Sequence, residues 1–131
     1  MTDIHYEIRN RVAWIRLNRP AQKNSFTLEM IDQWRGFLER AQADDEVGAI
    51  VVTGNGGSFC AGADLGGFAA DVPLVAKHFA TDLFLEYFRL MPRLGKPSLC
   101  AANGHVLAGG MGLALSCDLL IAKEGATFGT P

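Results

Sequence analysis

The chain has 131 residues, 49% of them hydrophobic and 20% charged, with a formal net charge of −2. That length suffices for one hydrophobic core, and the balance is that of an ordinary globular domain. Without clustered positive charge there is no electrostatic footprint for nucleic acid or an anionic membrane, so neither is expected as a partner.

No apolar run approaches the roughly 20 residues needed to span a bilayer. The first residues, with Asp3, His5 and Glu7, lack the basic and apolar regions of a signal peptide. Cys60, Cys100 and Cys117 are an odd number of cysteines in apolar settings without metal-ligand spacing. They read as buried thiols in a reducing cytoplasm, and no histidine partner points to a catalytic thiolate.

In chain order, Ile4, Tyr6 and Ile8 alternate, as do Ala13, Ile15 and Leu17, with Arg9-Asn10-Arg11 as the hairpin turn between two strands. Thr27 can cap a helix on which Met30, Ile31, Trp34, Phe37, Leu38 and Ala41 recur at helical spacing. Ala49 to Val52 is a short strand too hydrophobic to have an exposed face. The segment Gly66 to Pro73, with two glycines, a proline and no apolar period, predicts a mobile loop. Val75, Phe79, Leu83, Tyr87 and Met91 step by four along a second helix that ends before Pro92. Ser98 to Ala102 is another strand, Gly110 to Cys117 a buried helix, and Leu119 to Ala122 a further buried strand. This order suggests βαβ units with parallel strands, although no repeat is visible in the sequence itself.

Two glycine-rich turns stand out: Phe59-Cys60-Ala61-Gly62-Ala63-Asp64-Leu65, and Asn103-Gly104-His105-Val106-Leu107-Ala108-Gly109-Gly110-Met111-Gly112. Each follows a strand-like run and precedes a helix-like one. Such turns expose main-chain N–H groups, and two that converge on one point form an oxyanion hole. Neither turn has the glycine spacing and following acidic residue of a dinucleotide fingerprint.

At these residues the sequence resembles the crotonase family, the enoyl-CoA hydratases and isomerases, from near Ile15 to Pro131. Asn18-Arg19-Pro20 with Asn24-Ser25 is similar to the family's early signature. The resemblance implies an α/β fold, the N-terminal part of a spiral of ββα units. Residues 1–131 would be one crotonase-like core domain, apparently truncated at its C-terminus and without the family's C-terminal helices. It assigns Ala63 and Gly109 as the catalytic donors, whose N–H groups would stabilise a thioester enolate. Glycine at 109 and 110 lets the backbone approach the acyl group, and a helix start at Gly109 adds the positive end of its dipole.

Around those donors, Ala61, Gly62, Asp64, Leu65, Gly110 and Lys23 are candidates to bind the acyl-CoA substrate. Asp64 either touches substrate or caps the next turn. His105 either lines the acyl pocket or is a packed, neutral histidine. Lys23 and Arg19 could meet the coenzyme A phosphates, and Asp118 reads as a hydrogen-bonded structural carboxylate. The family's two acid/base carboxylates would fall at Gly112 and just past Pro131. With a glycine at 112, a 3-enoyl to 2-enoyl-CoA isomerase is favoured over a hydratase.

The expected function is therefore that of an acyl-CoA enzyme in fatty-acid or related metabolism. It would be cytoplasmic and a trimer or hexamer as a full-length protein, with no metal and no cofactor beyond the coenzyme A of its substrate. The contrasting expectation is a degenerate, non-catalytic protein that binds acyl-CoA or assembles through its apolar surface.

Overall fold

The structure is a computed structural model and describes residues 2–64 and 74–130. It opens with a hairpin, β1 (Ile4–Arg9) and β2 (Val12–Leu17), paired antiparallel from Ile4 opposite Leu17 to Arg9 opposite Val12. Asn10 and Arg11 turn the chain with φ of 52° and 66°. Two consecutive left-handed residues make the turn whose twist suits a two-residue hairpin. On β2 the alternation holds: Ala13, Ile15 and Leu17 are fully buried, while Val12, Trp14 and Arg16 face the other side.

Helix α1 (Leu28–Ala43) starts where the sequence predicts, with the Thr27 hydroxyl accepting from Met30 N–H at 3.2 Å. A cap of this kind contributes about 1 kcal/mol. Met30, Ile31, Trp34, Leu38 and Ala41 form its buried stripe, and Trp34 meets Tyr87 of α2 (Leu74–Leu90) edge to face, centroids 5.3 Å apart. Helix α2 ends at Leu90, where Met91–Arg93 tightens into a 3-10 turn around Pro92.

From β3 (Ala49–Gly54) onward the chain alternates between two sheets. β3, β5 (Ser98–Ala102) and β7 (Leu119–Ala122) extend the hairpin into a five-stranded sheet of order β1-β2-β3-β5-β7, parallel beyond β2. The short strands β4 (Ser58–Cys60), β6 (His105–Leu107) and β8 (Phe128–Gly129) form a second parallel sheet in that order. Each strand pair thus adds one strand to each sheet, and α2 and α3 (Gly109–Leu115) follow the first two pairs. This is the spiral of ββα units expected from the sequence. One contiguous core joins α1, α2 and α3 to both sheets.

The expectation of a buried strand at Leu119–Ala122 is corrected. β7 forms, but all four residues are exposed, Leu119 and Ile121 each 63%. β7 pairs with β5 alone and ends the sheet, so among the described residues no strand pairs with its outer edge. Leu65 and the predicted loop from Gly66 to Pro73 lie outside the described residues. No helix among the described residues is long and apolar enough to cross a membrane.

Candidate active site

The site is built on the two crossings between sheets. The bend from β3 to β4 is held by two asparagines from distant parts of the chain. Asn24, fully buried, donates from Nδ2 to the carbonyl oxygens of Asn55 (2.9 Å) and Ser58 (2.8 Å) and accepts from Arg19 N–H at 2.7 Å. Asn103 donates to the carbonyls of Gly56 and Ser58, both at 2.9 Å, and accepts from Gly54 N–H at 3.0 Å. Gly104, next to it, lies against the Gly57 backbone so closely that no Cβ could be added. These contacts fix where β4 begins, and hence where Cys60 to Asp64 lie.

The first glycine-rich turn is then laced to the segment after Arg19. Lys23 and Asn24 are both left-handed (φ 53° and 56°), which aims the Lys23 carbonyl at Ala61 N–H, 3.1 Å away. Phe26 N–H donates to Gly62 O and Asp64 N–H donates to Phe26 O, each at 2.9 Å, so Phe26 and Ala63 pair as a parallel bridge. In such a bridge the flanking residues carry the hydrogen bonds, and Ala63's own N–H points away. It has no hydrogen-bond partner among the described residues.

The second turn arrives alongside. Gly62 has φ of 104°, and a Cβ there would stand 3.0 Å from Ala108 Cβ and 3.3 Å from Gly109 N. Only glycine permits that approach. A Cβ on Gly109 would meet the Phe26 ring at 3.1 Å, and one on Gly110 would run into the Cys60 carbonyl. Gly109 is the first residue of α3, so its N–H lies outside the helical ladder, and it too has no partner among the described residues. Ala108, just before it, has φ 51° and ψ −126°, a sparsely populated conformation for a residue with a side chain. Such a conformation persists only where surrounding contacts dictate it, and here Ala108 N–H bonds Gly129 O at 2.8 Å.

Ala61, Gly62, Ala63, Asp64, Gly109 and Gly110 are thus brought together, with Lys23 beside them, its backbone bonded to Ala61 and its side chain exposed. His105 is not. It begins β6 level with Ser58, at the end of that strand away from Gly109, and is exposed. Its Nδ1 lies 2.8 Å from Thr127 Oγ1 and accepts from Thr127 N–H at 3.2 Å. Arg19 is also spoken for: its guanidinium lies 3.1 Å from Asp64 Oδ2 and 2.8 Å from Ser25 O, rather than free for phosphates. Asp118 accepts from Ser98 N–H while Ser98 Oγ accepts from Asp118 N–H, both at 2.9 Å, a structural exchange.

Gly112 lies one turn beyond Gly109 on the same face of α3. A Cβ there would stand 3.3 Å from the Phe88 ring of α2, and Phe84, one turn before Phe88, meets Phe26 edge to face at 5.3 Å. The wall beside the two unpaired amides is therefore aromatic. Burial raises the thiols of Cys60 and Cys117 to about 11 and that of Cys100 to about 12. A thiol so raised is protonated at neutral pH and is no nucleophile.

Two asparagine clamps, the strained Ala108 and the Phe26 ring were not singled out by sequence reasoning. Asn24 and Asn103 lie within motifs quoted above, and their signal was an asparagine beside a turn glycine or a basic residue, which many surface turns share.

The sequence profile of the family described as enoyl-CoA hydratase/isomerase matches residues 7–131. The chain belongs to that family. Among enoyl-CoA hydratase/isomerase family relatives, it is 36% identical to 4-chlorobenzoyl coenzyme A dehalogenase-2 of an Arthrobacter species, over 95% of this chain and 46% of that protein. It is 35% identical to the 2,3-dehydroadipyl-CoA hydratase of Escherichia coli strain K12, over 100% of this chain and 50% of that protein. The crystal structure of enoyl-CoA hydratase from Bacillus anthracis superposes with a TM-score of 0.90 at 30% identity, covering 98% of this chain and 50% of that one. The chain thus spans about half the length of its family relatives.

Proposed function

We propose that the N–H groups of Ala63 and Gly109 are the two donors of an oxyanion hole for an acyl-CoA thioester. The observation that carries this reading is that both amides are unpaired and flank the contact between Gly62 and Gly109. When a proton leaves the carbon beside the thioester carbonyl, negative charge gathers on the carbonyl oxygen. Donors about 2.7–3.1 Å from that oxygen stabilise the charge, and loss of one costs about 3–4 kcal/mol in the barrier. Ala61, Gly62 and Gly110 surround the thioester in this reading, Lys23 is left to meet the coenzyme A phosphates, and His105 drops out of it.

Within the family, the aromatic contact at Gly112 supports a reaction run without paired carboxylates. A 3-enoyl to 2-enoyl-CoA isomerase needs one base that removes and returns a proton. That base would follow Pro131, where the resemblance puts a family carboxylate. Buried, protonated thiols are in keeping with a cytoplasmic enzyme, and a trimer or hexamer is the assembly this reading expects of the whole protein.

Replacing Gly109 by proline tests the donor assignment, because proline removes the N–H while remaining acceptable at the first position of a helix. Turnover of a 3-enoyl-CoA should fall by about a hundredfold or more in a variant whose circular dichroism still matches the parent's, with some loss of melting temperature because the added ring meets Phe26. Undiminished turnover in a folded variant sinks the assignment. Inactivity of the unmodified full-length protein, with acyl-CoA still bound, would favour the non-catalytic reading.

A further inference from the structure

The side chain of Arg19 is only 15% exposed, and the turn its guanidinium touches lies more than 40 residues along the chain. It donates to Ser25 O at 2.8 Å, lies 3.4 Å from Ser25 Oγ, pairs with Asp64 Oδ2 at 3.1 Å and stands 3.8 Å from Asp3 Oδ2. Its own N–H donates to Asn24 Oδ1, and Asn24 in turn holds the β3–β4 bend. Asp64 is the residue immediately after Ala63, and its N–H is fixed on Phe26 O. The peptide unit carrying the Ala63 N–H is therefore restrained from both ends: through Gly62 O on one side, and through Asp64 on the other by backbone and side chain together.

We infer that Arg19 is a positioning residue, which through its ion pair with Asp64 holds the Ala63 N–H in line with the thioester oxygen. The inference rests on the proposed role of the Ala63 amide. It joins the Asn18-Arg19-Pro20 segment to the first glycine-rich turn by a physical link and gives Asp64 a structural part in place of a substrate contact. An arginine suits the task because Nη1 reaches both Ser25 O and Asp64 Oδ2 while Nε faces Asp3, a fixed planar arrangement that a lysine ammonium holds less rigidly. A donor misplaced by a fraction of an ångström weakens the transition state while leaving most ground-state binding intact.

The test uses the full-length protein and a saturated acyl-CoA labelled with carbon-13 at the thioester carbonyl, whose stretching frequency is read by difference infrared spectroscopy. In the unmodified protein the bound carbonyl should shift to lower frequency, because two donors polarise it. Arg19→Met and Asp64→Asn should each bind the probe with full stoichiometry but show a smaller shift. Each should lose about tenfold in kcat, with KM changed less than about twofold. Arg19→Lys should recover part of both signals, and the double variant should be no worse than the worse single one. If Arg19→Met does not fold, Asp64→Asn, which alters a single side-chain atom, carries the test. An unshifted carbonyl in the unmodified protein overturns the donor assignment itself. A shift that is present there and undiminished in the variants, or losses that add in the double variant, overturns the role of Arg19 alone.

Discussion

At the residue scale the crossing from β3 to β4 depends on polar side chains that bond only the backbone. Asn24 is fully buried, makes three hydrogen bonds and sits at φ 56°. Asn24→Ala removes all three bonds and puts a residue that dislikes the left-handed region in its place. It should cost about 2–4 kcal/mol, read as a lower urea midpoint at unchanged slope. Asn24→Asp should be worse still, since a carboxylate would face the carbonyls of Asn55 and Ser58. An Asp variant as stable as the parent would mean the clamp is not made. The thiols give a second residue-scale prediction. Cys60, Cys100 and Cys117 are raised above their ordinary value of 9.0, chiefly by burial. The folded chain therefore holds these protons more tightly than the unfolded one. Their contribution is intact below pH 9 and is lost as pH climbs towards 11 to 12, by up to about 1.4 kcal/mol per pH unit for each thiol. Urea unfolding at pH 8 and pH 10.5 should show that decline, and Cys100→Ala should flatten it.

At the element scale α3 is the part whose sequence is least free. Gly110 faces β4 so closely that an added Cβ would collide with the Cys60 carbonyl, whereas at Gly112 the nearest neighbour is the edge of the Phe88 ring, 3.3 Å away. Backbone cannot yield as a ring edge can. Gly110→Ala should cost about 3 kcal/mol or more by pushing α3 off the second sheet, while Gly112→Ala should be neutral or gain up to about 1 kcal/mol of helix propensity. Chemical denaturation of the two variants distinguishes them, and equal effects would contradict the packing described. The same contrast explains what could be read from sequence. The α1 stripe from Met30 to Ala41 and the alternation on β2 are long enough to carry a period. The strands Ser58–Cys60, His105–Leu107 and Phe128–Gly129 are two or three residues long, too short for any period, so the second sheet was legible only as turns. The unpaired amides were legible through the glycines that allow their approach. The clamps of Asn24 and Asn103 were not, because hydrogen bonds to carbonyls 30 to 50 residues away leave no local pattern.

At the scale of the whole molecule, apolarity alone misled the reading of β7. Leu119-Leu120-Ile121-Ala122 was predicted buried because strands of that composition sit inside parallel sheets. Burial requires a neighbour as well as a composition, and among the described residues β7 has a strand partner on a single side. Leu119 and Ile121 are each 63% exposed, Leu115 on α3 is 62% exposed and Phe128 on β8 40%. An open strand edge flanked by apolar side chains is a template for pairing with another chain. The 131-residue chain on its own should therefore self-associate at micromolar concentrations and above. Sedimentation velocity across a dilution series would show this as a concentration-dependent coefficient. Ile121→Lys should return the chain towards a monomer, because a charge on an edge strand opposes further pairing while a side chain this exposed contributes little to the folded core. Its melting temperature should stay within a few degrees of the parent. A parent chain that stays monomeric throughout would show that edge and patch are too small to drive association. A variant that dissociates only because it unfolds would place Ile121 in the core, against its exposure.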